Sequence, residues 1–259
     1  MTLIGEKLAG GILARENGAT IAYRRTEGKN PGLVFIHGLR SDMNGNKALA
    51  LESHCRETGR AFLCFDLSGH GAEAHRFAEG TIGAWAADVI AVLDELTEGP
   101  QILVGSSLGG WLMLLAALAR PDRVAGLMGL AAAPDFTEKL IYAAFDEKQR
   151  RELAEAGQVL IDDCYGQEPY AITRALIEEG RNHLLLDGPI DISRPTILIQ
   201  GQQDEDVPWQ TALTLAEKLS SPQVRVVLHK TGNHRLSEPE DLRLILTNIE
   251  YLIYILSLD

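Results

Sequence analysis

The sequence predicts an α/β fold: a mostly parallel, doubly wound sheet of about eight strands, with a helical cap inserted late in the chain. Short apolar runs alternate with segments of helical period along the chain. The runs are almost continuously apolar, as expected of parallel strands that helices cover on both faces. A further observation predicts the cap, because the stretch between Pro134 and Pro195 carries helical patterns and no convincing strand.

The predicted elements begin with an antiparallel hairpin. The runs 11–16 and 20–24 flank Asn17-Gly18, a strong turn signal. Helical periods fill the gaps between the later strands, and apolar stripes at 82–96 and 242–256 fit helices that cover a sheet. Six further strands are predicted at about residues 33–36, 61–65, 101–104, 123–130, 196–200 and 224–228.

The predicted cap covers about residues 135–194, within a single domain of residues 1–259. Helical patterns cover 136–145, 147–156 and 168–186 of this stretch. Its apolar side chains are candidates for a substrate pocket, and the alternative is that they only pack the cap onto the core, which is the commoner use of any single such residue. Leu140, Ile172 and Leu176 are the predicted substrate-binding residues, and the wider set adds Ile141, Phe145, Tyr165 and Tyr170.

A nucleophile elbow is predicted at Gly105-Ser106-Ser107-Leu108-Gly109. This G-x-S-x-G lies between the strand run 101–104 and the helical run 111–116. The glycines allow the sharp turn that presents a serine at the end of a strand. Ser107 is therefore the predicted nucleophile, and Ser106 is the rival that would point away from the site.

An acid and a histidine follow in the order that such a serine requires. Asp204 comes just after the predicted strand 196–200, and His234 lies in the glycine-marked loop behind the strand 224–228. Ser, Asp and His, each at the end of a strand, form the catalytic order of many serine hydrolases. The predicted triad is thus Ser107, Asp204 and His234, with Asp206 as the rival acid.

An oxyanion hole needs two fixed donors. The backbone N–H of Leu108, directly after the nucleophile, is the first. The N–H of Leu39, in the loop after the strand 33–36, is the second, with Arg40 as the runner-up and as a candidate substrate-binding residue. His37 and Asp66 are predicted to be structural, hydrogen-bonding loop backbone.

Composition limits the possible partners and location. The net charge of -12 argues against nucleic acid, which demands clusters of Lys and Arg. The odd count of 3 cysteines, without a C-x-x-C pair, indicates reduced thiols. No secretory signal or long apolar run is visible, so a cytoplasmic protein without an integral membrane span is expected. Metal-ligand spacing is also lacking, and the oligomeric state stays open.

With these residues placed, the chain resembles the α/β-hydrolase superfamily over its full length. The segments HGLRSDMNGNKA at 37–48, FDLSGHG at 65–71, SSLGGW at 106–111 and GNH at 232–234 resemble more narrowly the serine esterases that include palmitoyl-protein thioesterases and mycophenolic acid acyl-glucuronide esterases. This resemblance implies hydrolysis of carboxylic esters or acyl thioesters through an acyl-enzyme on Ser107. The substrate would be a small molecule or an acylated protein, and no metal or organic cofactor is expected.

Two other functions remain open at this point. An aminopeptidase or amidase would use acidic cap residues to hold a substrate amine. A non-catalytic ligand-binding homologue would keep the fold without the reaction. The candidate acids for the first are Glu147, Glu152, Glu155, Asp162 and Asp163.

Overall fold

The computed structural model describes residues 9–15, 18–162 and 168–258. Within them lie an eight-stranded sheet and a separate two-stranded hairpin. The spatial order of the large sheet is β1-β2-β4-β3-β5-β6-β9-β10. The strands are β1 (Ala9–Ala14), β2 (Thr20–Thr26), β3 (Lys29–Ile36), β4 (Arg60–Phe65), β5 (Gln101–Ser106), β6 (Val124–Leu130), β7 (Gln158–Ile161), β8 (Tyr170–Thr173), β9 (Thr196–Gly201) and β10 (Val224–His229).

The sheet is mostly parallel, which confirms the predicted α/β-hydrolase architecture. β1 and β2 form the predicted antiparallel hairpin, although its turn residues 16–17 lie outside the described residues. β2 pairs antiparallel with β4, and the pairs from β4 across the sheet to β10 are parallel. Every residue of the inner strands β5 and β9 is buried, as expected of parallel strands covered on both faces.

Helices on the two faces of the sheet enclose two apolar cores. One core holds Trp85 and Trp111, and the other holds Leu51 and Ile249. No helix of the described residues is both long and apolar enough to cross a bilayer. The α-helices are α1 (Asn46–Thr58), α2 (Ile82–Leu96), α3 (Leu108–Ala119), α4 (Glu147–Ala156), α5 (Arg174–Gly180), α6 (Gln210–Lys218) and α7 (Pro239–Leu256), with 3₁₀ segments at Gly71–Glu79, Pro121–Arg123 and Arg181–His183.

The cap leaves the sheet after β6 and returns at β9. It begins with a π-helical turn at Thr137–Tyr142 and continues into α4, which starts with a capping box between Asp146 and Gln149. At its base the buried Asp135 accepts hydrogen bonds from the backbone N–H groups of Leu185 (2.8 Å) and Leu186 (2.9 Å). One carboxylate therefore joins the start of the cap to its end.

The prediction of a purely helical cap is wrong, because β7 and β8 form an antiparallel hairpin inside it. The stretch 168–186 was predicted to be helical, yet the helix α5 begins only at Arg174, where the Thr173 hydroxyl caps it. Val159 and Ile172 lie opposite each other and are both buried. Strands of 4 residues are too short for their alternation to stand out from a helical period.

Candidate active site

Ser107 occupies a strained turn between β5 and α3, as the elbow motif predicts. Its backbone has φ 53° and ψ -117°, a conformation that non-glycine residues rarely adopt. The flanking glycines are required by space. A Cβ on Gly105 would lie 2.3 Å from the carbonyl oxygen of Gly109, and one on Gly109 would lie 2.1 Å from that of Ile36.

The three predicted triad residues lie in one hydrogen-bonded row. Ser107 Oγ lies 3.0 Å from His234 Nε2, and His234 Nδ1 lies 2.9 Å from Asp204 Oδ2. The Asp204 side chain is fully buried and that of His234 is 16% exposed. Since Nδ1–H donates to the carboxylate, Nε2 keeps its lone pair towards the serine hydroxyl.

Three groups besides His234 donate hydrogen bonds to the Asp204 carboxylate. Its Oδ1 accepts from the backbone N–H groups of Asp206 (3.0 Å) and Val207 (2.8 Å), and its Oδ2 accepts from Gln200 Nε2 (2.7 Å). Asp206 itself is exposed. Sequence reasoning missed Gln200, whose one signal is an amide side chain near the end of an otherwise apolar strand.

His37 and Asp66 hold loop backbone, which confirms the structural roles predicted for them. His37 Nδ1–H donates to the carbonyl oxygen of Gly38 (2.8 Å), and its Nε2 accepts from Leu67 N–H (3.1 Å). Burial lowers the pKa of His37, so its ring is neutral. Asp66 Oδ1 accepts from Met43 N–H (2.7 Å).

These contacts fix the oxyanion loop, defined here as residues 37–45. Leu39 lies in a turn that is closed by the hydrogen bond from Ser41 N–H to the Gly38 carbonyl (3.1 Å). Leu108 is the first residue of α3, where backbone N–H groups are free of helix partners. The assignment of these two N–H groups as oxyanion donors stays a prediction.

Two cavities meet at the oxyanion loop. The nucleophile cavity, of about 410 Å³, is polar and is lined by Ser107, His234 and the cations Arg40, Lys47 and Arg235. The lateral cavity, of about 310 Å³, lies between the 3₁₀ segment 71–79 and β8, where Phe77 and Tyr170 form aromatic walls. Both cavities share Arg40 and Ser41.

The structure places the three predicted cap residues away from both cavities. Ile172 and Leu176 are buried in the core that also holds Trp85, and Leu140 packs against that core half-buried. None of the three is among the described residues that line either cavity. For Ile172 the reason is the β7–β8 hairpin, in which it faces the buried Val159, while Leu176 lies on the buried face of α5. Arg40 does line both cavities, and Tyr165 lies outside the described residues.

The described residues contain one group of three or more His, Cys, Asp or Glu side chains close enough together to hold a metal ion. Its ligand atoms lie within 4.8 Å of one another, and its members are Asp204, Asp206 and His234 of the candidate active site. Asp204 and His234 already hydrogen-bond each other. Cys55 and Cys64 are buried free thiols, and burial raises the pKa of each to about 12, so neither is a thiolate ligand near neutral pH.

Comparison with known proteins shows close relatives over nearly the whole chain. The palmitoyl-protein thioesterase ABHD10, mitochondrial, of Mus musculus is 44% identical over 96% of this chain and 84% of its own length. Its Homo sapiens counterpart is 40% identical over 96% and 81%. A solved putative hydrolase from Agrobacterium vitis S4 is 35% identical, with a TM-score of 0.90 over 96% of this chain and 99% of its own.

The names of these relatives contradict the expected cytoplasmic location. Proteins 40% to 44% identical to this chain are named mitochondrial, in Mus musculus and Homo sapiens alike. The expectation rested on reduced cysteines and on the residues near the start of the chain. Reduced thiols do not distinguish one reducing compartment from another, so composition held no evidence for the cytoplasm.

The family follows from a match along most of the fold. The model of the Alpha/beta hydrolase family matches residues 33–243, from β3 into α7. A solved alpha/beta hydrolase domain-containing protein 10 from mouse, 42% identical, superposes with a TM-score of 0.88 over 96% of this chain and 99% of its own. Together with the sheet order and the elbow, these matches show that the chain belongs to the alpha/beta hydrolase family.

Proposed function

We propose that this protein hydrolyses carboxylic esters and acyl thioesters through an acyl-enzyme on Ser107. The observation that carries the proposal is the hydrogen-bonded row from Ser107 Oγ through His234 to Asp204. The relatives named palmitoyl-protein thioesterase support a thioester substrate, with an S-acylated protein or a small acyl thioester as its form.

In the proposed mechanism His234 Nε2 removes the proton from Ser107 Oγ as the oxygen attacks the acyl carbon. Asp204 stabilises the imidazolium, and the N–H groups of Leu39 and Leu108 receive the negative charge on the acyl oxygen. The bond from carbon to sulfur or oxygen then breaks, and the leaving group takes the proton from His234. Water attacks the acyl-enzyme by the same route and releases the acid.

We assign the acyl group to the lateral cavity and the leaving group to the nucleophile cavity. Phe77 and Tyr170, whose ring centres lie 6.0 Å apart, give the lateral cavity two aromatic walls against which an acyl chain can pack. Arg40, a cation that lines the nucleophile cavity, suits a polar leaving group such as a peptide thiol. A volume of about 310 Å³ is at the small end of ligand pockets, so a long chain would extend beyond the cavity.

The amidase alternative receives no support from the cap. Glu147, Glu152, Glu155 and Asp162 are exposed, and none of them lines either cavity. Asp163 lies outside the described residues. The binding-protein alternative conflicts with an assembled row of nucleophile, base and acid. We therefore expect turnover of esters and thioesters, and none of peptides.

The test is a series of acyl thioesters and p-nitrophenyl esters from acetyl to palmitoyl, assayed on the full chain. We expect kcat/KM to rise with chain length until the lateral cavity is filled and then to level off. Ser107→Ala should lose about 10⁴-fold in kcat, because the rest of the triad cannot act without its nucleophile. A fluorophosphonate should label the wild type and Ser106→Ala but not Ser107→Ala; equal turnover by Ser107→Ala would exclude the mechanism.

A further inference from the structure

Lys47 stands in an unfavourable place for a lysine. It is the second residue of α1, and a cation near a helix N-terminus is destabilised by the helix dipole. The first turn of α1 carries no acidic residue that would offset this charge. Lys47 is nevertheless half-buried and lines the nucleophile cavity. Helix formation alone does not explain its presence.

The Lys47 ammonium contacts the segment that carries the catalytic histidine. Lys47 Nζ donates to the carbonyl oxygen of Arg235, the residue directly after His234. It also lies 3.4 Å from Ser237 Oγ, and that hydroxyl donates to the same carbonyl at 2.8 Å. The start of α1 is thus joined to the histidine loop, defined as residues 230–238.

The histidine loop needs such a contact because its backbone is strained. Leu236 is buried and has φ 44°, a left-handed conformation that is unfavourable for a non-glycine residue. Asn233 Oδ1 accepts from the N–H groups of Arg235 (3.0 Å) and Leu236 (3.3 Å), so the loop forms a tight turn around its own amide. Lys47 adds a contact from outside this turn.

We propose that Lys47 is a positioning residue, which holds His234 at hydrogen-bond distance from Ser107 by fixing the Arg235 carbonyl. The inference rests on the proposed hydrolase function. Because α1 begins directly after the oxyanion loop, the same ammonium also fixes the base relative to the predicted oxyanion donor Leu39. Lys47 touches neither Ser107 nor the reacting atoms in this role.

The protonation of Lys47 then affects the reaction. Burial, and secondly the charge of Arg235, lower the pKa of Lys47 to about 8, while Asp241 of α7 opposes the shift. Asp241 is itself hydrogen-bonded to His229 at the end of β10, and Asp42 of the oxyanion loop lines the same cavity. A neutral amine is a weaker donor than an ammonium. The contact therefore weakens at mildly alkaline pH.

The experiment measures kcat and KM from pH 6 to 10 for the wild type, Lys47→Arg, Lys47→Met and the control Lys230→Met, which removes an exposed charge from the same loop. We expect wild-type kcat to fall above pH 8. Lys47→Arg should keep its plateau to higher pH, since arginine stays charged. Lys47→Met should lose roughly 10- to 100-fold in kcat below pH 8 with little change in KM, and the difference from the wild type should shrink above pH 8, where the wild-type contact weakens. Lys230→Met should match the wild type at every pH.

Arg235→Gln provides a second variant that leaves Lys47 and the carbonyl in place. Removing that charge should move the alkaline limb to higher pH. The rate of fluorophosphonate labelling of Ser107, measured across the same pH range, separates the two proposals. No labelling of the wild type would overturn the hydrolase function itself. The positioning role would be overturned if the wild type and Lys47→Met were labelled at equal rates. It would also be overturned if Lys47→Met changed KM alone.

Discussion

The guanidinium carbon of Arg40 lies 4.7 Å from the centre of the Tyr170 ring. Arg40 Nη1 also donates to the carbonyl oxygen of Glu168 (2.9 Å), so the oxyanion loop is attached to the cap strand β8. Arg40 has φ 56°, a left-handed conformation that directs this contact from the turn after Leu39. The side chain lines both cavities, and its contact with the cap links the lateral cavity to the nucleophile cavity.

Reducing the lateral cavity should change acyl preference without changing the reaction. Ala171→Leu places a larger side chain in the β8 wall. We expect the ratio of kcat/KM for long acyl thioesters to that for acetyl thioesters to fall by roughly 5- to 150-fold, since filling a pocket costs about 1 to 3 kcal/mol. The control is Ala175→Leu, on the exposed surface of α5. A parallel loss of acetyl and long-chain activity would show that the acyl group binds elsewhere.

Asp204→Asn should lower kcat by about 10⁴-fold, because an amide can no longer hold the histidine in the tautomer that leaves Nε2 unprotonated. Asp206→Asn changes an exposed side chain two residues away, so its kcat should stay within a few-fold of the wild-type value. Steady-state kinetics on one good substrate decides between them. If Asp206→Asn proved the more damaging, the acid of the triad would have to be reassigned to Asp206.

We expect the free energy of unfolding to decrease as the pH is lowered, because His70 is buried. Burial, with a smaller contribution from His37 once acid protonates that ring, lowers the pKa of His70 from 6.5 to about 3 in the folded chain. Between these values the unfolded chain binds the extra proton, so the free energy of unfolding decreases as the pH falls, by up to about 1.4 kcal/mol per pH unit.

Urea denaturation at several pH values measures this effect. His70→Phe should flatten the pH dependence between 6.5 and 3, since phenylalanine does not titrate. The Ser68 carbonyl keeps its hydrogen bond from Trp85 Nε1 (2.9 Å) in this variant. His75→Phe, at an exposed histidine nearby, should retain the wild-type slope. Equal slopes in the wild type and His70→Phe would show that His70 is not the responsible group.

Asp135 should stabilise the base of the cap. Asp135→Ala leaves the N–H groups of Leu185 and Leu186 without their acceptor and should cost about 2 to 4 kcal/mol of unfolding free energy. Asp135→Asn keeps one acceptor oxygen and tolerates φ 62°, so its loss should be smaller.

Chemical denaturation and limited proteolysis of the cap check this ranking. Asp187→Asn is the control, because Asp187 is an exposed partner of Lys139 in the same region and surface ion pairs contribute little. An Asp135→Ala variant as stable and as protease-resistant as Asp187→Asn would contradict the proposed anchoring.

The sequence predicted those parts of the fold that depend on local pattern. The glycines around Ser107 and the apolar strands before Asp204 and His234 carry their signal within a few residues. The β7–β8 hairpin depends on pairing between segments that resemble helix, and Gln200 is recognisable only once its partner Asp204 is in place. The contact between Arg40 and Tyr170 joins residues from distant parts of the chain, and no local pattern indicates it.

The cap leaves and rejoins the sheet at adjacent strands, since Leu127 of β6 pairs with Thr196 of β9. In topological terms the whole insertion is therefore one long connection between neighbouring strands. The entropy of closing such a connection rises only slowly with its length. Caps of other lengths and sequences could be exchanged here while the strands that carry Ser107, Asp204 and His234 keep their pairing. The length of the insertion is therefore independent of the strand pairing that brings Ser107, Asp204 and His234 together.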